Sequence, residues 1–541
     1  MTTPVIPVEP VLSPEEYAAL DLITAQPGLT LSDLSRFLAT RFNLDLTLDP
    51  DIVGGFAADS SNLPGRAQAL CRPATERDCA VILHACHKAG IPHTLSAGKS
   101  NLTGSATPDD GVIISTVNLQ TPTPSIDAVT RTTVAPVGLI LEDFRRQVLE
   151  LSGGSLIYPV DPTSRGDASI GGTLACNASG FTPGEAGATR PWVAAIDFLL
   201  PDGWRIRATR GQYVSADGFF HLHYGDGRTV DLPVPNYPRP AIKNAGGPFS
   251  ASNGIMDFVD LVIGSEGLFG LVTSCRLSLQ PRPPAVLDLF FPLPGEPEAL
   301  KFFHFLHTQM AGRLDSLSAF EYFGVNCRKY MDHENALFQG NNQVGINLQV
   351  PLMNADALDS AAEEWLERIL SADCGVDPDA ILLLDNDRVR KLFMEARHSL
   401  PAKSLEVVQH RGTFTIMTDA VVPPNRFDEF LAFTHNLIRS AGIDYLSFGH
   451  LGDCHLHFTL LPEKSQQDRG REIYDQIVAR SADLGGVYSG EHGTGKRKRQ
   501  DFLRCYGPEG VASVQRCKAA LDPKCLLNRG NVVECMSDVH H

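Results

Sequence analysis

Two short segments in the C-terminal third of the chain contain most of the residues that could do chemistry. The first carries His450, His455 and His457 around a glycine and an aspartate, and the second places Glu491 next to His492. Neutral imidazoles and a carboxylate are ligands that ions such as Zn²⁺ or Mn²⁺ accept, and two histidines with one glutamate leave positions open for a substrate. Such an ion acts on ligands that bear oxygen. We therefore predict a catalytic divalent-metal site, with zinc or manganese as the ion.

The elements around these residues determine which side chains can meet. Residues 454–460 have the alternation typical of a strand, which puts His455, His457 and Thr459 on one face. His450 lies in a glycine-flanked turn that can fold back toward that face. From the residues alone, His455 is either a ligand or a hydrogen-bond partner behind a ligand, and both interpretations stay open.

Three glycine-rich segments precede this region, at residues 96–105, 158–180 and 263–273. Small residues in such loops let backbone N–H groups converge on an anion such as a phosphate. The first segment is not a P-loop, because the residue five positions before Gly98 is His93, where that motif requires glycine. One such turn is weak evidence, but three within about 180 residues predict a single large ligand with a pyrophosphate and flat rings.

The composition limits the class of protein. A chain of 541 residues is too long for one core, and a net charge of −17 leaves no basic patch for nucleic acid. No apolar run reaches the ~18 residues of a membrane span, and residues 1–10 lack the features of a signal peptide. The 12 cysteines form no C-x-x-C pair, so we predict reduced thiols rather than disulfides or an iron–sulfur cluster. These features predict a cytoplasmic protein, free or attached peripherally at the inner face of the membrane.

The most specific motifs are Gly-Ser-Glu-Gly at 264–267 and Ser-Gly-Glu-His-Gly-Thr-Gly at 489–495, followed by Leu-Asn-Arg-Gly at 527–530. With them, residues 55–541 resemble the FAD-linked oxidases of the vanillyl-alcohol-oxidase and cresol-methylhydroxylase type. Within that group the chain is similar to the D-lactate and D-2-hydroxyacid dehydrogenases, including the glycolate oxidase flavoprotein subunit. The resemblance implies non-covalent FAD, because no histidine stands at a covalent-attachment position.

The resemblance also implies an α+β fold. A two-subdomain FAD-binding domain of the cresol-methylhydroxylase type would span residues 55–280. An α+β cap domain with an antiparallel sheet, which binds the substrate, would span residues 281–480 after a proline-rich boundary. Residues 1–54 would form a helical extension, and residues 481–541 would return to the FAD domain and complete the active site.

The same resemblance assigns roles to individual residues. The FAD-binding residues that it implies are Ala97, Gly98, Lys99, Ser100, Asn101, Leu102, Thr103, Gly104, Pro159, Asp161, Gly171, Gly172, Asn177, Gly180, Glu266, Gly267, Gly270, Val272 and Asn528. His450, His457 and Glu491 would hold the divalent ion. His492 would be the catalytic base, and Arg397 would bind the substrate carboxylate.

Four positions depart from the family pattern. Cys454-His455 stands in place of Gly-Asn in the metal loop, and Thr459 replaces an asparagine two residues after the second histidine ligand. Met417 replaces a lysine and Met394 replaces a tryptophan. The loss of the lysine and the asparagine argues against a pocket for a dicarboxylate of the 2-hydroxyglutarate type.

These residues predict a dehydrogenase that oxidises a small D-2-hydroxy acid, with D-lactate as the best candidate, to the 2-oxo acid. The hydride would pass to flavin N5, and His492 would accept the hydroxyl proton with help from the metal. The electrons would pass to a separate acceptor, namely a quinone, a cytochrome, an electron-transfer flavoprotein or an iron–sulfur protein, and a homodimer is left open. Two alternatives are a non-catalytic flavin-binding subunit of a larger oxidase and an enzyme like alkyl-dihydroxyacetonephosphate synthase.

Overall fold

The computed structural model describes residues 5–251 and 253–535, so the first four and last six residues of the predicted terminal segments lie outside it. In chain order its strands are β1 (Val5–Val8), β2 (Leu46–Thr47), β3 (Ala69–Cys71), β4 (His93–Ser96), β5 (Val112–Ser115), β6 (Ser125–Asp127), β7 (Thr132–Pro136), β8 (Leu156–Ile157), β9 (Val193–Leu199), β10 (Arg205–Thr209), β11 (Phe219–Tyr224), β12 (Thr229–Pro233), β13 (Leu271–Ser278), β14 (Gln280–Pro281), β15 (Ala285–Leu293), β16 (Ala319–Phe323), β17 (Val344–Leu352), β18 (Leu382–Leu383), β19 (Ile416–Met417), β20 (Asp444–His450) and β21 (His455–Leu461).

The helices follow the same order along the chain. They are α1 (Pro14–Thr24), α2 (Leu31–Phe42), α3 (Pro50–Gly54), α4 (Glu76–Ala89), α5 (Leu141–Leu151), α6 (Ile170–Cys176), α7 (Phe258–Val262), α8 (Glu296–Gln309), α9 (Glu334–Leu337), α10 (Leu358–Ser371), α11 (Asp387–His410), α12 (Phe427–Ser440), α13 (Gln467–Asp483) and α14 (Arg499–Leu521, broken at Gly507). In the part of the chain that the structure describes, none of them is long and apolar enough to cross a membrane.

The half of the molecule with the glycine-rich segments contains two main sheets. In the first, ordered β2-β3-β5-β4, the strands β3, β5 and β4 are parallel. Helix α4 makes the crossover between β3 and β4, and its ends have clear causes: Thr75 forms a capping box, and Gly90 ends the helix at φ 70°. The second sheet is antiparallel in the order β10-β9-β13-β7-β6. Two sheets of these kinds agree with the predicted two-subdomain FAD-binding fold.

A seven-stranded sheet in the order β18-β15-β17-β16-β20-β21-β19 forms the centre of the other half, and its pairs are antiparallel. Alternate residues of its strands face opposite sides. Leu289 and Phe291 pack with α8, α10, α12 and α13, whereas Phe290 packs on the other face with Phe393 of α11. The sheet therefore has helices on both faces, and β20 and β21 bring the predicted histidines to one place.

The N-terminal segment differs from the prediction of a purely helical extension. Helices α1 and α2 are present, but β1 pairs in parallel with β11 in a three-stranded sheet with β12. Ile6 and Val8 are buried there, and Leu20 of α1 and Leu34 of α2 are also buried. Alternation over only four residues was too short a signal for a strand, so the sequence missed this contribution to the core.

The prediction that all cysteines are reduced was wrong at one pair. Cys525 and Cys535 are joined by a disulfide, with their Cα atoms 6.1 Å apart. The remaining ten cysteines, which all fall within the described residues, are free. A separation of ten residues carries no recognisable spacing signal, and only the fold of the C-terminal segment brings the two thiols together.

Candidate active site

A cavity of about 530 Å³ runs from the glycine-rich loops to the histidines on β20 and β21. Residues from both halves of the molecule line it. The predicted cofactor-binding residues that line this cavity are Ala97, Gly98, Lys99, Ser100, Asn101, Leu102, Gly171, Gly172, Gly180, Glu266, Gly267, Gly270, Val272 and Asn528. Arg397, His450, His457, Glu491 and His492 line the same cavity.

Five residues of the predicted cofactor set do not line the cavity, and their role in binding FAD stays a prediction. They are Thr103, Gly104, Pro159, Asp161 and Asn177. Two of these side chains brace the loops from behind. Asp161 accepts a hydrogen bond from the N–H of Phe181 (3.1 Å), and Asn177 accepts one from the N–H of Arg190 (2.9 Å). A glycine-rich motif thus marks the loop correctly, but it does not say which residues face inward.

Close backbone contacts explain the glycines. A Cβ atom at Gly98 would lie 2.2 Å from the carbonyl oxygen of Asp167, and one at Gly180 would lie 2.0 Å from Oδ1 of Asp161. The loops can therefore approach one another only where side chains are absent. This packing leaves backbone groups facing the cavity, as a diphosphate ligand requires.

Glu266 and Asn528 join the C-terminal segment to the FAD-binding half. The buried carboxylate of Glu266 accepts hydrogen bonds from the N–H groups of Thr494 (2.6 Å) and Gly495 (2.7 Å). The amide of Asn528 accepts from the N–H of Leu95 (2.7 Å) and donates to the carbonyl of Glu266 (3.1 Å). Glu266 thus fixes the loop that bears Glu491 and His492 beside the cavity.

Strands β20 and β21 bring three histidines together. His450 and His455 are opposite each other in the antiparallel register, and His457 follows two residues later on the same face as His455. All three face the carboxylate of Glu491. Its Oε1 lies 2.9 Å from Nε2 of His450 and 3.7 Å from Nδ1 of His455, and its Oε2 lies 3.8 Å from Nε2 of His457. One ligand atom from each of these four residues lies within 4.8 Å of the others. We call these four residues the histidine cluster.

The donor set of the histidine cluster fits a divalent ion such as zinc. Nδ1 of His455 and Nδ1 of His457 are buried without a hydrogen-bond partner among the described residues. Burial, followed by the neighbouring His455, keeps the pKa of His457 well below its usual value, so its ring is neutral and able to act as a ligand. Three imidazoles and one carboxylate are ligands that Zn²⁺ prefers.

Glu321 is a buried carboxylate that sequence reasoning missed. One oxygen lies 2.9 Å from Nδ1 of His450, and the other lies 2.8 Å from both Nε and Nη2 of Arg397. Burial raises the pKa of Glu321, but Arg397 and His450 lower it more, to about 2. Glu321 therefore orients both His450 and the predicted substrate arginine. The only signal was one acid within the apolar run of β16, where an unpaired carboxylate would be costly.

Lys243 is a second buried residue that sequence reasoning missed. Its ammonium lies 2.6 Å from Oε1 of Glu491 and 3.2 Å from Oδ2 of Asp453. Burial lowers the pKa of Lys243, whereas Glu491 and Asp453 raise it further, so the side chain is charged. Removing one partner of such a buried pair costs about 3–5 kcal/mol. Its position in the sequence gave no signal, because Lys243 is more than 200 residues from Glu491.

Asp419 is the third missed residue, and it lies behind His492. Its carboxylate accepts hydrogen bonds from Oγ of Ser489 (2.6 Å), from Nζ of Lys498 (2.8 Å) and from the backbone N–H of His492 (3.0 Å). Oδ2 also lies 3.3 Å from Nδ1 of His492. With the ring proton on Nδ1, the side near Asp419, Nε2 is the nitrogen of His492 that can accept a proton. Burial lowers the pKa of His492 and Asp419 opposes that effect.

The fold and the cavity define a flavin-dependent oxidoreductase. A family model of an FAD binding domain matches residues 67–209, and a model of the C-terminal domain of FAD linked oxidases matches residues 342–532. The chain belongs to the FAD-linked oxidases, and the resemblance inferred from its motifs is confirmed.

The chain is also similar to three known proteins. It is 26% identical over 495 residues to a D-lactate dehydrogenase of Anaerostipes hadrus, with 88% of this chain and 92% of that protein covered. It is 26% identical over 467 residues to the mitochondrial D-2-hydroxyglutarate dehydrogenase of Rattus norvegicus, with 86% of this chain and 78% of that protein covered. Its fold is similar to that of p-cresol methylhydroxylase with substrate bound, at a TM-score of 0.68 and 12% identity, covering 98% of this chain and 99% of that one.

Proposed function

We propose that this protein is an FAD-dependent dehydrogenase that oxidises a small D-2-hydroxy acid, with D-lactate as the best candidate, to the 2-oxo acid. The observation that carries the proposal is one cavity lined at one end by the glycine-rich loops and at the other by Arg397, His450, His457, Glu491 and His492. Both curated relatives described above are named as dehydrogenases of D-2-hydroxy acids, which supports the same reaction class.

The residues of this chain have complementary tasks in that reaction. When bound, FAD supplies a hydride acceptor, and a divalent ion supplies positive charge beside the substrate hydroxyl. His450, His457 and Glu491 would hold the ion. Nε2 of His492 would accept the hydroxyl proton while Asp419 holds the ring from the other side.

Arg397 would bind the substrate carboxylate. Its guanidinium lies over the ring of Phe181 at 4.3 Å and lines the cavity, while Glu321 fixes its Nε and Nη2 groups. Nη1 makes no hydrogen bond to the described residues and is the group that can meet a carboxylate. A guanidinium held in this way loses little conformational freedom when the substrate binds.

The side chains near Arg397 favour a monocarboxylic acid. Phe181, Pro401, Met417 and Phe448 line this part of the cavity. Thr459 pairs with Met417 across β21 and β19 and does not line the cavity. A second substrate carboxylate would lose its hydration against these four side chains, which is costly without a partner, although His398 next to Arg397 also lines the cavity. This favours lactate over 2-hydroxyglutarate.

Anaerobic bleaching of the flavin tests the proposed substrate. The purified holoprotein is mixed with D-lactate, L-lactate and D-2-hydroxyglutarate in parallel, and the visible flavin band is followed. We expect rapid bleaching by D-lactate, slow or no bleaching by L-lactate, and weak bleaching by the dicarboxylate. Bleaching by D-2-hydroxyglutarate alone would reject the small monocarboxylate, and no bleaching by any 2-hydroxy acid would reject the reaction class.

The electrons would leave the flavin to a separate acceptor, which we propose is a quinone, a cytochrome, an electron-transfer flavoprotein or an iron–sulfur protein. The family models match an FAD binding domain and the C-terminal domain of FAD linked oxidases, and neither match supplies a second redox group. Reoxidation of the bleached protein by a soluble quinone, by cytochrome c and by oxygen, measured separately, distinguishes these acceptors.

A further inference from the structure

We propose that His455 is a fourth protein ligand of the divalent ion, so that three imidazoles and one carboxylate hold it. The inference rests on the proposed function, because it concerns the same metal site. It goes beyond the ligand set of His450, His457 and Glu491, and it concerns a position where this chain departs from the family pattern.

The position of His455 is the first argument. The residue begins β21, opposite His450 in the register, and its side chain is fully buried. Its ring centroid lies 4.5 Å from that of His457 and 5.7 Å from that of His450. Nδ1 faces Glu491 at 3.7 Å and has no hydrogen-bond partner among the described residues. A buried nitrogen that faces other candidate ligands and makes no hydrogen bond needs a partner, and a bound ion would be that partner.

The partner of the opposite nitrogen is the second argument. Nε2 of His455 lies 3.0 Å from Oδ1 of Asp419, which fixes the ring proton on Nε2. The lone pair of Nδ1 then points toward the cluster. A carboxylate behind a histidine is the usual support of a metal-binding imidazole. His450 also has a carboxylate on the side away from Glu491, because Glu321 lies 2.9 Å from its Nδ1, although this pair lacks hydrogen-bond geometry.

The surroundings leave little room for another orientation of the ring. A Cβ atom at Gly490 would lie 2.9 Å from Cε1 and 3.0 Å from Nε2 of His455. The glycine therefore provides the space for the imidazole, and the ring is held between this backbone and Asp419. An asparagine at position 455 is shorter and could not reach both Asp419 and the ion.

A fourth ligand changes which ion is favoured. A site with three nitrogen donors and one oxygen prefers zinc over manganese, because manganese favours oxygen ligands. A five- or six-coordinate ion would still have one or two positions open for a substrate. We therefore assign the site to a zinc-like ion rather than to manganese.

Metal binding, rather than activity, provides the test. The FAD-loaded protein is stripped with a chelator and titrated with Co²⁺, and the cobalt bands are recorded beyond the flavin absorption. Zinc affinity is measured by chelator competition, and metal content by elemental analysis. The variants are His455→Asn, His450→Asn and His435→Asn. His435 is the matched control, because it is buried between Glu296 and the phenol of Tyr445 and lies outside the cluster.

We expect His455→Asn to change the cobalt spectrum and to raise the zinc dissociation constant by more than about 100-fold, which exceeds the loss expected for a partner behind a ligand. His450→Asn should lose the ion altogether, and His435→Asn should bind it as the parent does. An unchanged cobalt spectrum in His455→Asn, or a zinc shift of about 100-fold or less, would overturn the assignment while leaving the proposed function intact. A parent protein that binds no ion would overturn both.

A second variant keeps the test decisive if His455→Asn does not fold. His455→Cys places a thiol at the same position, and a thiolate bound to Co²⁺ gives an intense ligand-to-metal charge-transfer band. Appearance of that band supports the fourth ligand. A folded His455→Cys protein that binds Co²⁺ without the band would contradict it.

Discussion

The two ends of the cavity are lined by different kinds of residue. At the FAD end, the loops expose backbone groups, and the decisive feature is the absence of side chains at positions such as Gly98 and Gly180. At the other end, the histidine cluster and its supporting residues Glu321, Lys243 and Asp419 are charged or polar side chains that are buried and bonded to one another. This difference shows that local sequence marks the loops at the first end, whereas only the tertiary structure brings the residues of the second end together.

The largest expected effect comes from breaking the histidine cluster. Glu491→Gln should lose the ion and lower turnover with D-lactate about 1000-fold, since several kcal/mol of charge stabilisation are lost with it. The flavin spectrum should not change, because this residue supports only one end of the cavity. Elemental analysis and anaerobic reduction rates measure the two effects. Glu463→Gln, at a glutamate whose partner is Arg411, is the matched control.

A flavin lost together with the ion would contradict the separation of the two ends. It would mean that the cluster also holds the FAD-binding loops in place, through the segment that Glu266 fixes.

His492→Asn should give the second largest effect. It removes the proposed proton acceptor, so the rate of flavin reduction should fall about 100- to 1000-fold, which is typical of general-base loss. The ion and the flavin should both remain bound. Rapid-mixing kinetics with D-lactate measure the rate, and a fall of less than tenfold would assign the proton transfer to another group.

What could be predicted from the sequence differs between the two ends of the cavity in the same way. The glycine segments predicted loops that line one end of the cavity, among them residues 97–102, because such loops leave a local pattern, and their contacts with FAD stay a prediction. Alternation placed His455 and His457 on one face of β21, as the structure confirms. Asp419, Lys243 and Glu321 come from separate segments of the chain, and no local pattern relates them to Glu491. The strand β1 was missed because its alternation spans only four residues, and the Cys525–Cys535 disulfide was missed because no spacing signal relates the two thiols.

Gly98→Ala should weaken FAD binding without altering the histidine cluster. The added Cβ would lie 2.2 Å from the carbonyl oxygen of Asp167, so the loops must separate. A strained packing of this kind costs about 1–3 kcal/mol, and we expect FAD affinity to fall about 10- to 100-fold. Gly166→Ala is the matched control, because nothing lies within 4 Å of its added Cβ. Flavin content and fluorescence titration measure the effect, and equal FAD affinity in both variants would contradict the account of this loop.

Glu321→Gln should give the smallest of these effects. The amide keeps the shape but loses the negative charge that orients Arg397 and His450. We expect KM for D-lactate to rise about tenfold and metal affinity to fall by a similar factor, as for other partners behind a ligand. Steady-state kinetics and chelator competition separate the two changes. An unchanged KM would mean that Arg397 does not contact the substrate.

The most direct test of the account is anaerobic reduction of the flavin by D-lactate in metal-stripped protein and in the same protein reloaded with zinc. We predict that the stripped protein retains its flavin band and is reduced very slowly, and that zinc restores rapid bleaching. Equal rates of bleaching with and without the ion would contradict the claim that the two ends of the cavity act on one substrate.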